Sequence, residues 1–147
     1  MKRLIEYFVL ICILGLLVGC GPDPAKTLSK PEVASYVEWS NERQVAFDDY
    51  MAKVKGLEGQ AQMDQVAAGK QMMESFAARE PLKGTPKGQV LRELGACFFT
   101  SGNYFRDEKQ LGVLREKYGK DLVDSGAQYE DVWKGIKPAA SRGRKSR

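Results

Sequence analysis

Two kinds of hydrophobic pattern run along this chain. Residues Tyr7 to Val18 form a near-continuous apolar run with no helical alternation, directly behind Lys2 and Arg3. Beyond Leu28 the apolar positions return at spacings of three and four, the signature of helices with one buried face. Ser29-x-x-Glu32 has capping-box spacing, Pro31 falls in the first turn, and Leu28 and Val33 occupy the staple positions around that cap. A helix is therefore predicted from residue 29 to about Lys55, with Val33, Tyr36, Val37, Phe47, Tyr50, Met51 and Val54 on one side. Glu38, Glu42 and Asp49 lie opposite, and Ser40, Arg43 and Gln44 leave a polar notch in the stripe. A second helix is predicted over about Gln60 to Arg79, its face interrupted by Gly69 and Lys70. After the breakers Glu80-Pro81 to Gly84, Thr85-Pro86 opens a third helix carrying Val90, Leu91, Leu94, Cys97 and Phe98. Ser101-Gly102-Asn103 turns the chain into a fourth, with Tyr104, Phe105, Leu111, Leu114 and Tyr118. A fifth runs from about Asp121 through Leu122, Gly126, Tyr129, Trp133 and Ile136. Strand signals are nearly absent. The expectation is an all-α domain, a small bundle of four or five short helices over residues 29–137.

The N-terminal run ends in Leu17-Val18-Gly19-Cys20. Basic start, apolar core and small residue before a break are the parts of a secretory signal. The terminal cysteine makes residues 1–20 resemble a bacterial lipoprotein signal peptide. The resemblance implies cleavage between Gly19 and Cys20, acylation of Cys20, and a chain held at the cell envelope by its lipid. Gly21 rather than Asp after the cysteine implies, in the enteric pattern, the outer membrane facing the periplasm. The run is short of the ~20 residues that span a bilayer, and Glu6 stands at its start. Residues 1–19 are thus read as signal peptide and 20–28, with Pro22 and Pro24, as lipidated N-terminus and tether.

Composition narrows the chemistry. The chain has no histidine, which removes His-based acid–base, triad and zinc chemistry. Of its three cysteines, the resemblance implies that Cys12 leaves with the signal and Cys20 carries lipid, which would leave Cys97 alone in an apolar setting. No metal, cofactor or intramolecular disulfide is expected. The net charge of +4 is concentrated in Arg142, Arg144, Lys145 and Arg147, within residues 138–147, read as a disordered basic tail. That tail has no aromatic residue for stacking on bases, and nucleic acid is not an expected partner. The tail's charge could engage anionic lipid headgroups, lipopolysaccharide, peptidoglycan carboxylates or an acidic protein partner.

Two short resemblances complete the reading. Leu94-Gly95-x-x-Phe98-x-x-x-Gly102-x-Tyr104 is similar to the centre of a tetratricopeptide repeat, but it occurs once and puts Asp107 at a small-residue position; an ordinary helical hairpin is expected there. Glu74-Ser75 resembles the catalytic pair of soluble lytic transglycosylases, without their downstream Gly-Leu-Met-Gln segment. The function expected is a non-enzymatic, lipid-anchored protein that binds another envelope protein, in an accessory, assembly, exclusion or immunity role. Trp39, at the edge of its stripe beside Glu38 and Glu42, is the expected interface anchor. A carboxylate-dependent peptidoglycan enzyme, or a tether acting through the basic tail, are the alternatives.

Overall fold

A computed structural model describes residues 23–100 and 103–137. The cleavage site Gly19, the acylation site Cys20 and the cations Arg142, Arg144, Lys145 and Arg147 lie outside the described residues. The fold is all-α: helices α1 (Lys30–Val54), α2 (Gly59–Ala78), α3 (Pro86–Phe98), α4 (Glu108–Tyr118), α5 (Lys120–Ala127) and α6 (Glu130–Trp133). A two-residue antiparallel pair, β1 (Phe99–Thr100) with β2 (Asn103–Tyr104), joins α3 to α4. None of the described helices is long and apolar enough to cross a membrane.

Local chemistry sets the helix starts. The Ser29 N–H and hydroxyl both donate to the Glu32 carboxylate, at 2.7 and 2.9 Å. Leu28 and Val33 close the staple, 2% and 0% exposed. The other Glu32 oxygen accepts from Lys87 at 2.9 Å, so one carboxylate caps α1 and ties it to α3. At the start of α3 the Thr85 hydroxyl accepts the Gly88 N–H at 3.1 Å and donates to the Leu82 carbonyl at 2.6 Å.

Three expectations about the helices are corrected. First, α1 and α2, at 25 and 20 residues, keep close to their predicted bounds, but the face of α2 is not interrupted at Gly69. They form an antiparallel hairpin in which Tyr50 lies over Gly69, where an added Cβ would fall 2.5 Å from the ring. Gly69 is thus a contact point rather than a break. Second, α4 begins at Glu108. Asp107 accepts the N–H groups of Lys109 and Gln110 at 3.0 and 3.1 Å, the work of an N-cap, and Tyr104 belongs to β2. The residue that disturbed the repeat-like spacing is the one that starts the helix. Third, the predicted fifth helix is broken into α5 and α6. Trp133 donates its indole N–H to the Gly126 carbonyl at 2.9 Å and is fully buried. In a straight helix seven residues span about 10 Å along the axis, too far for that bond.

The core lies where the first half of α1 meets α3, α4, α5 and α6. Val90, Leu91, Leu94, Phe98, Leu111, Val123 and Trp133 are fully buried there. Gly126 lets Leu28 and Leu94 close in, both within 2.8 Å of where a Cβ would stand. Cys97 is buried among them, and burial, then Asp107 and Glu93, push its thiol up. The distal halves of α1 and α2 leave this core. Met51, which spacing puts on the apolar side of its helix, is 40% exposed and Met63 67%, alongside Val45 and Val66.

Candidate docking groove on α1

Ala34, Val37, Glu38, Asn41, Glu42, Val45, Ala46 and Asp49 recur at three- and four-residue steps, so they share one face of α1. That face is the floor of an open groove of about 730 Å³. From Ala34 to Asp49 the floor extends roughly 22 Å at 1.5 Å per residue. One wall is the end of α2, through Phe76 and Arg79. The other is α6 and the chain after it, through Val132 and Lys137. The groove exists because α2 and α6 both pack on α1 without meeting over this face.

Asn41 fixes the second wall. Its amide donates to the Gly135 carbonyl at 2.9 Å, and its carbonyl oxygen accepts the Lys137 N–H at 2.6 Å. Both main-chain bonds hold residues 135–137 against the helix. On the first wall, Arg79 stacks over the Phe76 ring at 4.2 Å and reaches Glu42 at 3.4 Å. Apolar positions (Ala34, Val37, Val45, Ala46, Phe76, Val132) thus alternate with three carboxylates contributed by α1. Glu38 and Asp49 are exposed and have no ion-pair partner among the described residues.

Of the three residues expected to form an interface, Glu38 and Glu42 line this groove and Trp39 does not. Trp39 is 8% exposed, on the side of α1 that α2 covers. Its indole N–H donates to the Phe76 carbonyl at 3.1 Å, and its ring lies 5.5 Å from Tyr36. Its burial has a simple cause: around the helix from the groove floor, the C-terminal half of α2 closes over the edge that the sequence left open. The polar notch is likewise occupied locally, with Arg43 over the Trp39 ring at 5.7 Å and Gln44 bonded to Asp48 at 2.9 Å.

The residues weighed for catalysis are elsewhere. Glu74 is exposed, 3.9 Å from Lys70, and the Ser75 hydroxyl donates to the Met72 carbonyl. Glu80 is largely covered but lies 3.1 Å from Arg92. Burial, and then the charge of Glu80, push the Tyr36 hydroxyl up to about 12, leaving it protonated at neutral pH. Among the described residues no three His, Cys, Asp or Glu side chains are grouped to hold a metal ion. What the groove offers is shape, apolar surface and negative charge, the properties of a binding surface for an amphipathic segment.

Comparison of the chain with protein-family models, with curated proteins and with solved structures found no match to any of them.

Proposed function

We propose that this chain is a non-enzymatic, lipid-anchored envelope protein that docks a partner protein in the α1 groove. The observation that carries the reading is the groove itself. Four turns of one helix face are left open between two walls, with valine and alanine on the floor and carboxylates along it. An amphipathic helix of about 15 residues would match the roughly 22 Å floor. Its flanking side chains would be Lys or Arg, to meet Glu38 and Asp49. Attachment through Cys20 supports a partner in the same envelope, at the outer membrane facing the periplasm in the enteric pattern. The tether over 20–28 leads into Leu28, whose N–H donates to Ser125 at the base of the core, so the far end of α1 stands about 37 Å from its anchored end.

The test is capture of crosslinked partners from cells expressing the lipidated protein, comparing the natural chain with Val45→Glu and with Lys120→Glu. Val45 is 44% exposed, so the substitution alters the floor without entering the core. One saturable partner protein, retained by Lys120→Glu and lost by Val45→Glu, supports the proposal. A partner indifferent to Val45→Glu refutes the groove. Acylation is tested separately: radiolabelled palmitate enters the protein and is absent from Cys20→Ser, or the lipoprotein reading fails.

A further inference from the structure

We infer that the basic segment of residues 138–147 binds back into the α1 groove of its own chain and occupies it until a partner displaces it. The occlusion of a docking site rests on the proposed function; the contact between segment and groove does not.

Three observations support that contact. The first is where the described chain ends. Lys137 is itself part of the groove wall, and its N–H is held by Asn41 on the floor. The described chain therefore ends in the groove wall. The second is charge. α1 supplies Glu38, Glu42 and Asp49 to the groove and no cation; the walls add Arg79, which pairs with Glu42, and Lys137, while Glu38 and Asp49 lack an ion-pair partner among the described residues. The segment Pro138-Ala-Ala-Ser-Arg-Gly-Arg-Lys-Ser-Arg147 supplies four cations and no acid. The third is reach. Along α1, Asn41 stands about 4.5 Å from Glu38 and about 12 Å from Asp49. Residues 138–147 extend to about 33 Å, so either carboxylate is reached without moving the body.

The energetics fit a displaceable cover. Exposed ion pairs are worth at most about 1 kcal/mol each, so four cations do not make a permanent lid. Tethering raises the local concentration to about the millimolar range, enough for weak pairs to be populated. An amphipathic helix that also buries Val45 and Ala46 has apolar surface to add, which a segment of Arg, Lys, Ser and Gly lacks. The groove would thus be shielded from weak cationic competitors and yield to a ligand carrying both features.

Lys145 makes the contact measurable. Full-length lipidated protein in neutral detergent is treated with a zero-length carbodiimide, which joins a lysine amine to a carboxylate in direct contact, and adducts are mapped by mass spectrometry. The Lys117–Glu93 and Lys87–Glu32 pairs, at 2.8 and 2.9 Å, report an intact fold. Lys145 adducts should favour Glu38, Glu42 and Asp49 over exposed Asp64, Glu116 and Asp121 by about tenfold, the preference that one or two exposed ion pairs supply among acids on the same tether. They should disappear in 1 M salt, where the screening length is about 3 Å. In the Glu38→Gln/Asp49→Asn variant the remaining Lys145–Glu42 adduct should fall while both fold reporters persist. Adducts spread evenly over the exposed acids, or none from Lys145, overturn the inference. So do adducts joining isotopically light to heavy chains in a mixed sample, which would place the segment on a second copy. A partner lost by Val45→Glu alongside scattered Lys145 adducts would leave docking standing and remove the cover; focused adducts without any partner would do the reverse.

Discussion

Replacing Trp39 by Phe separates a core role from an interface role at one residue. The indole is 8% exposed and donates to the Phe76 carbonyl at 3.1 Å. Phenylalanine keeps a ring beside Tyr36 but deletes the N–H and part of the ring volume. The Phe76 carbonyl is not orphaned, because the Arg79 N–H also reaches it at 3.2 Å. The hydrogen bond is therefore charged at its net value of about 1 kcal/mol rather than at the full cost of an unsatisfied buried group. Lost apolar contact and an unfilled space add about another 1–2 kcal/mol. The sum, about 2–3 kcal/mol, lowers the melting temperature by roughly 8–20 °C in a domain of about 100 residues. Urea denaturation followed by circular dichroism reads the same loss as a lower midpoint with an unchanged slope. Partner capture, measured well below the new melting temperature, is expected to survive. A stability change under about 0.5 kcal/mol, the range of ordinary surface substitutions, would refute the buried assignment, and the more so if capture were lost.

Other substitutions probe the packing and the cap. Gly126→Ala is expected to destabilise by about 1–3 kcal/mol despite the better helix propensity of alanine, because its Cβ would fall 2.7 and 2.8 Å from buried Leu28 and Leu94. Gly69→Ala meets the far end of the Tyr50 ring, which can swing away at the open edge of the hairpin; thermal melts should rank it clearly milder than Gly126→Ala. Partial burial raises the Glu32 carboxyl, but the Ser29 N–H and hydroxyl and Lys87 outweigh it and hold it below its ordinary 4.5. Its contribution to stability is thus fully present above pH 4.5 and fades as pH falls through the lowered value; Glu32→Gln should flatten that part of the acid limb in a pH series of denaturation midpoints. The Cys97 thiol should resist an alkylating reagent in the native mature protein and react on unfolding; rapid native labelling would contradict its burial.

Helix starts were legible in the sequence because their causes are local. Ser29, Pro31 and Glu32 announce α1, and Thr85-Pro86 announces α3, without reference to anything distant. What stayed hidden depends on partners far along the chain. Trp39 reads as a boundary residue from the periodicity of α1, and only the return of α2, with its Phe76 carbonyl 37 positions on, makes it core. The reverse applies to Met51 and Met63, whose spacing fits a buried stripe but whose hairpin outruns the body that would bury them. Asp107 carried a readable signal as an N-cap before Lys109 and Gln110, masked by the repeat-like spacing around it. The break between α5 and α6 had none; it is clasped by the bond from the Trp133 indole to the Gly126 carbonyl seven residues back. Of the residues singled out on α1, Glu38 and Glu42 line the groove and Trp39 does not. The groove itself needs both walls, and neither α2 nor residues 132–137 declares in sequence where it will lie.

The central claim is that the α1 groove is where a partner binds, and site-specific photocrosslinking in cells tests it most directly. A photoreactive side chain is placed in turn at Glu42, Val45 and Ala46 on the groove floor, and at Gln62 and Lys120 outside it. The expected result is one discrete partner adduct from the floor positions, absent from the other two. Adducts of equal strength from all five, or from Gln62 or Lys120 alone, would contradict it.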